Sequence, residues 1–159
     1  MDDFLVDVQE EDVAGKIAWY NQQLVVVKDD FIRWLGELGY TVDALEKPVT
    51  IYQGPCERYD SVEYQLTLHG DGELDGKKLR LLPRGAWWVG SLGMIQLFGR
   101  FGDEMIGFFQ KDGVLSNAPD APDYGYVTED AWYWEKRGID EHPARLSRDT
   151  VAELVEYVS

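Results

Sequence analysis

The sequence predicts an α+β fold: an antiparallel sheet of five to seven strands, with a long N-terminal helix and a short C-terminal helix. In the first quarter of the chain, apolar residues recur every three or four positions, which is the spacing of one face of a helix. From about residue 49 the spacing changes to alternation, which is typical of strands with one buried face. Because the helices come before and after the strands, we expect them to be segregated from the sheet.

The first helix is expected over residues 13–38. Its apolar face consists of Ile17, Tyr20, Leu24, Val27, Phe31, Trp34 and Leu38. Asp12 is a suitable N-cap, and Gly39 stands where a helix commonly ends in a left-handed residue. The β-branched run at residues 25–27 weakens the pattern locally and leaves open whether the helix is continuous. We expect the apolar face to lie on the sheet; the alternative is a coiled coil with a partner helix.

Short antiparallel strands are expected between residues 49 and 117. The segments with strand character are residues 49–52, 62–69, 78–82, 94–98 and 105–110. Asp112 and Gly113 form a two-residue hairpin signal that leads into residues 114–115. Gly99 and Gly102 do not precede a helix, so we interpret them as bulges or close approaches within the sheet.

The long loop region, residues 116–146, has the weakest pattern in the chain, and its length favours a functional or locally folded segment. Within it, residues 128–138 fit a short capped helix with acids at its start and bases at its end. A strand is the alternative, because Trp132 and Trp134 alternate around Tyr133. The chain then closes with a helix that Ser147 caps and that places Val151, Leu154, Val155 and Val158 on one side.

Length and composition indicate one domain over residues 1–159, with 45% hydrophobic residues to fill a core. Cys56 is the only cysteine, so no internal disulfide forms, as suits a reducing compartment. The acidic N-terminal segment, residues 1–12, lacks the positive start of a signal peptide. No apolar run reaches the length of about 18 residues expected of a membrane span. We therefore expect a cytoplasmic protein.

The net charge of −15, from 30 acids and 15 bases, is the strongest compositional signal. Such a charge repels nucleic acid and anionic membranes and attracts cationic surfaces. Residues 1–15 and residues 112–135 form two blocks that contain acids but no Lys or Arg. Several bases gather instead at Lys77, Lys78, Arg80 and Arg84. The plainer alternative is a solvated surface that keeps the protein soluble.

Enzyme motifs are absent from the sequence: it has no phosphate-binding loop, no serine-elbow motif, no HExxH, no CxxC and no calcium-loop spacing. His69 is followed by alternating acids, but we interpret this segment as a polar hairpin because its spacing fits no metal loop. We expect no catalytic residues, no metal and no cofactor. A site of His, Asp and Ser residues that meet only in space is the alternative.

Aromatic density marks two places in the sequence. Trp87 and Trp88 are expected in the core. The second group lies among acids, and an aromatic patch with an acidic rim suits a protein interface. The predicted partner-binding residues are Asp120, Asp123, Glu129, Asp130, Trp132, Trp134 and Glu135, with Asp71, Glu73 and Asp75 as a second group.

In its small size, acidity and α+β order, the chain resembles bacterial toxin-immunity proteins as a type. The resemblance implies an inhibitor that binds a basic toxin domain and occludes its active site. One alternative with the same charge logic is a DNA mimic or phage-encoded inhibitor of a nucleic-acid-binding defence system. Another is an enzyme or small-ligand-binding domain, which predicts a deep cavity with converging polar groups.

Overall fold

The structure, a computed structural model, describes residues 2–55, 57–88, 91–111, 126–136 and 142–159, with the backbone alone for residues 2–11. These described residues form two helices and seven strands. In chain order these are α1 (Asp2–Glu37), β1 (Thr41–Ile51), β2 (Tyr59–His69), β3 (Lys78–Gly85), β4 (Met94–Phe98), β5 (Asp103–Phe109), β6 (Ala131–Trp134), β7 (Ala144–Arg145) and α2 (Arg148–Val158). The predicted α+β class, with a long first helix and a short last helix, is confirmed.

The seven strands form one sheet in which each strand pairs antiparallel with the next in sequence. The longest pairing runs from Thr41 opposite His69 to Ile51 opposite Tyr59. This order places β1 and β7 at the two edges. Because β7 has only two residues, β1 is by far the longer edge strand.

Helix α1 buries a stripe of side chains against one face of the sheet. The fully buried members are Tyr20, Leu24, Val27, Phe31 and Leu35. The predicted stripe was wrong at its end: Leu38 lies beyond the helix and is 39% exposed, and Leu35 takes its place in the core. The helix is continuous through residues 25–27 because Leu24 and Val27 both pack into this core.

The two ends of α1 differ in how well the sequence predicted them. The helix begins at Asp2, so Asp12 is not its N-cap; residues 2–11 contain no glycine or proline that would break it. At the other end Gly39 has φ +99°, and the N–H of Tyr40 donates to the carbonyl of Leu35 at 3.0 Å. This is the glycine-terminated helix end that the sequence predicted.

The prediction of a short helix over residues 128–138 was wrong, and its strand alternative is confirmed by β6. Phe109 lies opposite Ala131 and Ile106 opposite Trp134 in the pairing of β5 with β6. The pleat places Trp132 and Trp134 on the core face and Tyr133 on the other face. The hairpin expected at Asp112 and Gly113 lies outside the described residues.

Strand β1 begins eight residues before the start that the sequence predicted. Most of its side chains are exposed, so it lacks the alternation that marks a half-buried strand. The backbone pairing with β2, and not the burial of its side chains, determines that this segment is a strand. Pro48 is tolerated there because β1 is an edge strand.

The main core lies between the sheet and both helices. From the sheet it contains Leu66, Leu68, Leu79, Leu81, Ile95, Leu97 and Ile106, and from α2 it contains Val151, Leu154, Val155 and Val158. Ser147 caps α2, as predicted, by accepting a hydrogen bond from the N–H of Thr150 at 3.2 Å. A smaller cluster of Phe109, Val127 and Tyr133 packs on the opposite, outer face of the sheet. No helix in the described part of the chain is long and apolar enough to cross a membrane.

The C-terminal end of α2 rests on the turn between β4 and β5. The N–H of Phe101 donates to the carbonyl of Val158 at 3.0 Å, and a Cβ on Gly99 would lie 2.2 Å from that carbonyl oxygen. Gly99→Ala therefore has to push the helix away from the turn, and we expect it to lower the free energy of unfolding by about 1–2 kcal/mol. Urea denaturation measures this loss.

Gly102→Ala is the matched control for this substitution. A Cβ at Gly102 meets only the Cα of Val158, at 4.0 Å, which is ordinary contact. We expect its free energy of unfolding to stay within about 0.5 kcal/mol of the wild-type value. Equal destabilisation by the two substitutions would contradict the close-approach explanation.

Candidate functional site

The first group of predicted partner-binding residues is only partly described. Asp120 and Asp123 lie outside the described residues. Glu129 forms an ion pair with Arg145 of β7, and the Asp130 carboxylate accepts a hydrogen bond from the N–H of Lys111 at 2.9 Å. Both acids therefore have intramolecular partners that tie the segment before β6 to neighbouring strands.

The aromatic members of this group are not surface anchors, which corrects the expected exposed patch. Trp132 is 7% exposed and Trp134 is 4% exposed. The indole N–H of Trp132 donates to Gln23 of α1 at 3.0 Å, and its ring packs edge-on against Phe108. Because β6 turns both rings toward the core, Trp132 joins α1 to the sheet, and Trp134 lies near the ring of Tyr157 of α2, at 6.0 Å between centroids. Glu135 follows them, half-buried, and its N–H donates to the carbonyl of Met105.

The other tryptophan pair is divided between core and surface. Trp87 is half-buried and meets the ring of Tyr59 edge-on, at 5.6 Å between centroids. Trp88 is 38% exposed, so only Trp87 fits the predicted core position.

The second predicted group lies on the turn between β2 and β3, and all three carboxylates are exposed: Asp71, Glu73 and Asp75. The turn is closed by hydrogen bonds from the N–H of Asp75 to Gly72 at 3.2 Å and from the N–H of Gly76 to Leu68 at 2.7 Å. The turn thus has a defined backbone conformation.

Two side chains hold this turn against the rest of the protein. Leu74, in its middle, is only 7% exposed and belongs to the main core. The N–H of Leu74 donates to the hydroxyl of Tyr40 at 3.2 Å, and the Tyr40 ring lies directly against Gly70 and Gly72. Asp75 is itself part of the turn, because its carboxylate accepts the N–H of Gly70 at 3.0 Å. The carboxylates of Asp71 and Glu73 are therefore free, whereas the turn that carries them is held in place.

The C-terminal end of α1 and the start of β1 extend this acidic surface. Gly39 touches the turn, since a Cβ on Gly70 would lie 3.1 Å from its carbonyl oxygen. Glu37, the last residue of α1, is exposed, and so is Asp43 of β1. We call the surface formed by Glu37, Asp43, Asp71, Glu73 and Asp75 the acidic edge.

The acidic edge lies beside the open side of β1. Among the described strands, β1 pairs with β2 alone, which leaves one row of its backbone groups without a neighbouring strand. Leu45 on this strand is 68% exposed. Charged side chains and a proline at Glu46, Lys47 and Pro48 protect the middle of the edge from unspecific pairing. The surface therefore combines carboxylates with a large exposed apolar side chain on β1.

The histidines do not meet a serine in the described part of the chain. His69 pairs with Asp43 at 2.9 Å, and His142 stacks on the ring of Tyr126 at 3.7 Å between centroids. Ser61 is buried and donates to Asn21 of α1 at 2.8 Å. The described residues also contain no group of three or more His, Cys, Asp or Glu side chains that could hold a metal ion.

A cleft of opposite charge adjoins the acidic edge on the outer face of the sheet. It has a volume of about 510 Å³ and is lined by Asp75, Gly76, Lys77, Lys78, Arg80, Phe98, Gly99 and Arg100. We call it the basic cleft. The sequence indicated the clustering of bases in β3 but not the contribution of Phe98 and Arg100, which the pairing of Arg80 with Phe98 brings alongside.

Neither a protein-family model, nor a curated protein, nor a solved structure matches this chain. The fold and surface alone therefore define its class: an α+β protein whose seven-stranded antiparallel sheet is packed against two helices. Its two charged features, the acidic edge and the basic cleft, meet at Asp75.

Proposed function

We propose that the protein acts by binding a basic protein partner through the acidic edge. The observation that carries this proposal is the fixed turn that presents Asp71 and Glu73, held by Leu74 and Tyr40. A carboxylate on a rigid support loses little conformational freedom when a partner binds, so more of the interaction energy contributes to affinity.

The electrostatics of the acidic edge support the proposal. The C-terminal end of a helix carries a partial negative charge of about half an elementary charge, which favours a base in the last turn. Helix α1 has no basic residue there and ends in Glu37, next to the acidic turn. The negative end of the helix, Glu37 and the acidic turn repel one another, and this repulsion lowers the stability of the fold locally. Such a local loss of stability is expected where binding requires it.

The neighbouring strand offers contacts for the bound state. Charge complementarity mainly accelerates encounter, whereas buried apolar groups slow dissociation. Leu45 lies two residues from Asp43 on the edge strand and is the large exposed hydrophobic side chain closest in sequence to that acid. A partner steered by the carboxylates thus meets an apolar side chain and free backbone groups.

More specifically, we propose an inhibitor of the immunity type, which covers the active site of a basic toxin domain. A carboxylate-rich surface fits a site built for a phosphate backbone, because both present negative charge to the same cations. The net charge of −15 in a chain of 159 residues supports this reading. The partner class is tested by capture from a lysate of the encoding organism, eluted with increasing salt and followed by inhibition assays on the purified partner.

Neutralising the two free carboxylates, Asp71→Asn with Glu73→Gln, is expected to slow association with the captured partner by about tenfold at low ionic strength. Asp75 is left unchanged because the turn depends on it. The dissociation rate and the free energy of unfolding should change little, since both side chains are exposed. Surface plasmon resonance at two salt concentrations measures the rates, and the difference should shrink in high salt.

Asp60→Asn with Glu156→Gln is the matched control, because it removes one aspartate and one glutamate that are exposed, lie outside the acidic edge and, like Asp71 and Glu73, form no ion pair in the described part of the chain. An equal effect of both pairs on the association rate would mean that net charge alone steers binding, which contradicts a localised site. Failure to retain any basic protein at low salt would contradict the proposed function. Retention of a nucleic-acid-binding defence enzyme, rather than a toxin, would identify a DNA mimic and overturn the immunity assignment.

A further inference from the structure

The basic cleft is unusual because it gathers positive charge on a strongly acidic protein. Among the described residues that line it, four are cations and Asp75 is the single acid. In the described part of the chain, Lys77, Lys78 and Arg100 form no ion pair. With 30 acids and 15 bases in the sequence, cations without acid partners are not the expected arrangement. Three such cations on one cleft indicate a site for an anion.

The fourth cation, Arg80, is held in place by a buried acid, Glu63. Its Nε donates to Oε1 of Glu63 at 2.7 Å, and its Nη2 lies 2.5 Å from the same oxygen in an ion pair. The other oxygen of Glu63 accepts a hydrogen bond from Gln65 at 3.0 Å, and the Glu63 side chain is 1% exposed. The contacts with Glu63 leave Nη1 of Arg80 for a ligand. The guanidinium also lies over the ring of Phe98, at 5.1 Å from its centroid, which restricts its orientation further.

Two further cations lie near this arginine on the rim of the cleft. Arg80 lies opposite Phe98 at the end of the β3–β4 pairing; Lys78 is the first residue of β3, two positions before Arg80, and Arg100 lies in the turn after β4, two positions beyond Phe98. Like charges that line one cleft repel each other. An anion that bridges Lys78 and Arg100 relieves this repulsion and forms charge-assisted hydrogen bonds with both.

From this geometry we infer that the basic cleft binds a small molecule that carries a diphosphate group. The pair of Arg80 and Glu63 is neutral, and Asp75 offsets one of the other three cations, so the cleft has an excess of two positive charges. This excess fits a diphosphate better than a monoanion. The volume of about 510 Å³ lies in the range of small-molecule sites and exceeds what one phosphate fills.

The two sources of this chemistry are free pyrophosphate and a nucleoside diphosphate. We expect both to bind, as measured by isothermal titration calorimetry at low ionic strength with pyrophosphate, ADP, orthophosphate and citrate as probes. Pyrophosphate should bind more tightly than orthophosphate and citrate, and added salt should weaken it. Tighter binding of ADP than of pyrophosphate would assign the nucleotide, and the reverse order would assign the inorganic ion.

The decisive variant is Lys78→Gln with Arg100→Gln, which should weaken diphosphate binding by about tenfold or more. Both side chains are exposed, so circular dichroism and thermal melting should match the wild type. Arg58→Gln with Lys111→Gln is the matched control: it removes one arginine and one lysine that are exposed and outside the cleft. This control should retain wild-type affinity.

Three results would overturn the inference: no saturable binding of pyrophosphate or ADP, the same loss of affinity in the cleft variant and its control, or citrate binding as tightly as pyrophosphate. Lys77→Gln provides a second test that leaves the strands unchanged, and it should also weaken binding. The inference is independent of the proposed function, because it concerns the cations of the basic cleft and uses no protein partner.

Discussion

Arg80→Met is expected to lower the free energy of unfolding by about 3 kcal/mol, because it leaves the carboxylate of Glu63 buried without a cation. Glu63 is 1% exposed, and in the described part of the chain its carboxylate has an ion pair and one hydrogen bond with Arg80 and a second hydrogen bond with Gln65. Methionine keeps most of the length and apolar surface of the arginine stem, so the loss measures the charge rather than the packing. Urea denaturation at neutral pH is the appropriate measurement.

The control for Arg80→Met is the double variant with Glu63→Gln. A neutral amide in place of the carboxylate removes the unpaired charge, and it still accepts a hydrogen bond from Gln65. The double variant should therefore recover more than half of the lost stability, since burying a neutral polar group costs much less than burying a charge. If the double variant is less stable than Arg80→Met alone, Glu63 does not depend on Arg80 in the way proposed.

How far the sequence predicts this fold depends on how each element is stabilised. Helix α1 could be predicted because Tyr20, Leu24, Val27 and Phe31 all face one core, which leaves a 3.6-residue period in the sequence. Strand β1 could not be bounded from its pattern, because most of its side chains face water and its backbone pairing with β2 leaves no trace in residue type.

Strand β6 shows a second limit of prediction. Both faces of β6 are buried, because Trp132 and Trp134 face the main core and Tyr133 packs with Phe109 on the outer side. A segment buried on both faces shows no polar alternation, so periodicity does not distinguish it from a buried helix. Pairing with β5 in the folded protein determines that this segment is a strand and not a helix.

The candidate surfaces could be predicted only where one segment forms them. Asp71, Glu73 and Asp75 stay predicted partner-binding residues; they lie on one turn, and their charge pattern is visible in the sequence. The basic cleft was not, because it needs the register that sets Arg80 of β3 opposite Phe98 of β4. Trp132 and Trp134 were assigned to the surface because aromatic residues among acids look the same in sequence whether they face the core or the solvent.

The turn between β2 and β3, which is held firmly in place, contributes to both the acidic edge and the basic cleft. Asp75 accepts a hydrogen bond within the turn and also lines the cleft, and Lys77, the next base, has its backbone N–H bonded to Leu74 at 3.1 Å. One rigid turn thus separates surfaces of opposite sign. Of its three carboxylates, Asp75 lines the cleft, whereas Asp71 and Glu73 are not among the cleft residues.

Tyr20→Phe is expected to lower the free energy of unfolding by about 3 kcal/mol, although it removes a single oxygen atom. The hydroxyl of Tyr20 donates to the carbonyl of Met94 and accepts the N–H of Gly85 at 3.1 Å, and the residue is fully buried. It therefore joins α1 to β3 and β4. Phenylalanine leaves both backbone groups buried without a partner, and each such loss costs about 1–3 kcal/mol. Tyr157→Phe is the control, because Tyr157 is 67% exposed and should change stability by less than about 0.5 kcal/mol.

The same tyrosine makes the expected effect depend on pH. Burial raises the pKa of Tyr20 above the ordinary value of 10.0, so the folded state holds this proton more tightly than the unfolded state. The contribution of Tyr20 is then fully present below about pH 10 and is lost as the pH rises further. The stability difference between wild type and Tyr20→Phe should shrink above that pH by about 1.4 kcal/mol per pH unit. Urea denaturation at neutral pH and at two pH values above 10 tests this, and a difference that stays constant would show that the hydroxyl does not remain protonated in the folded core.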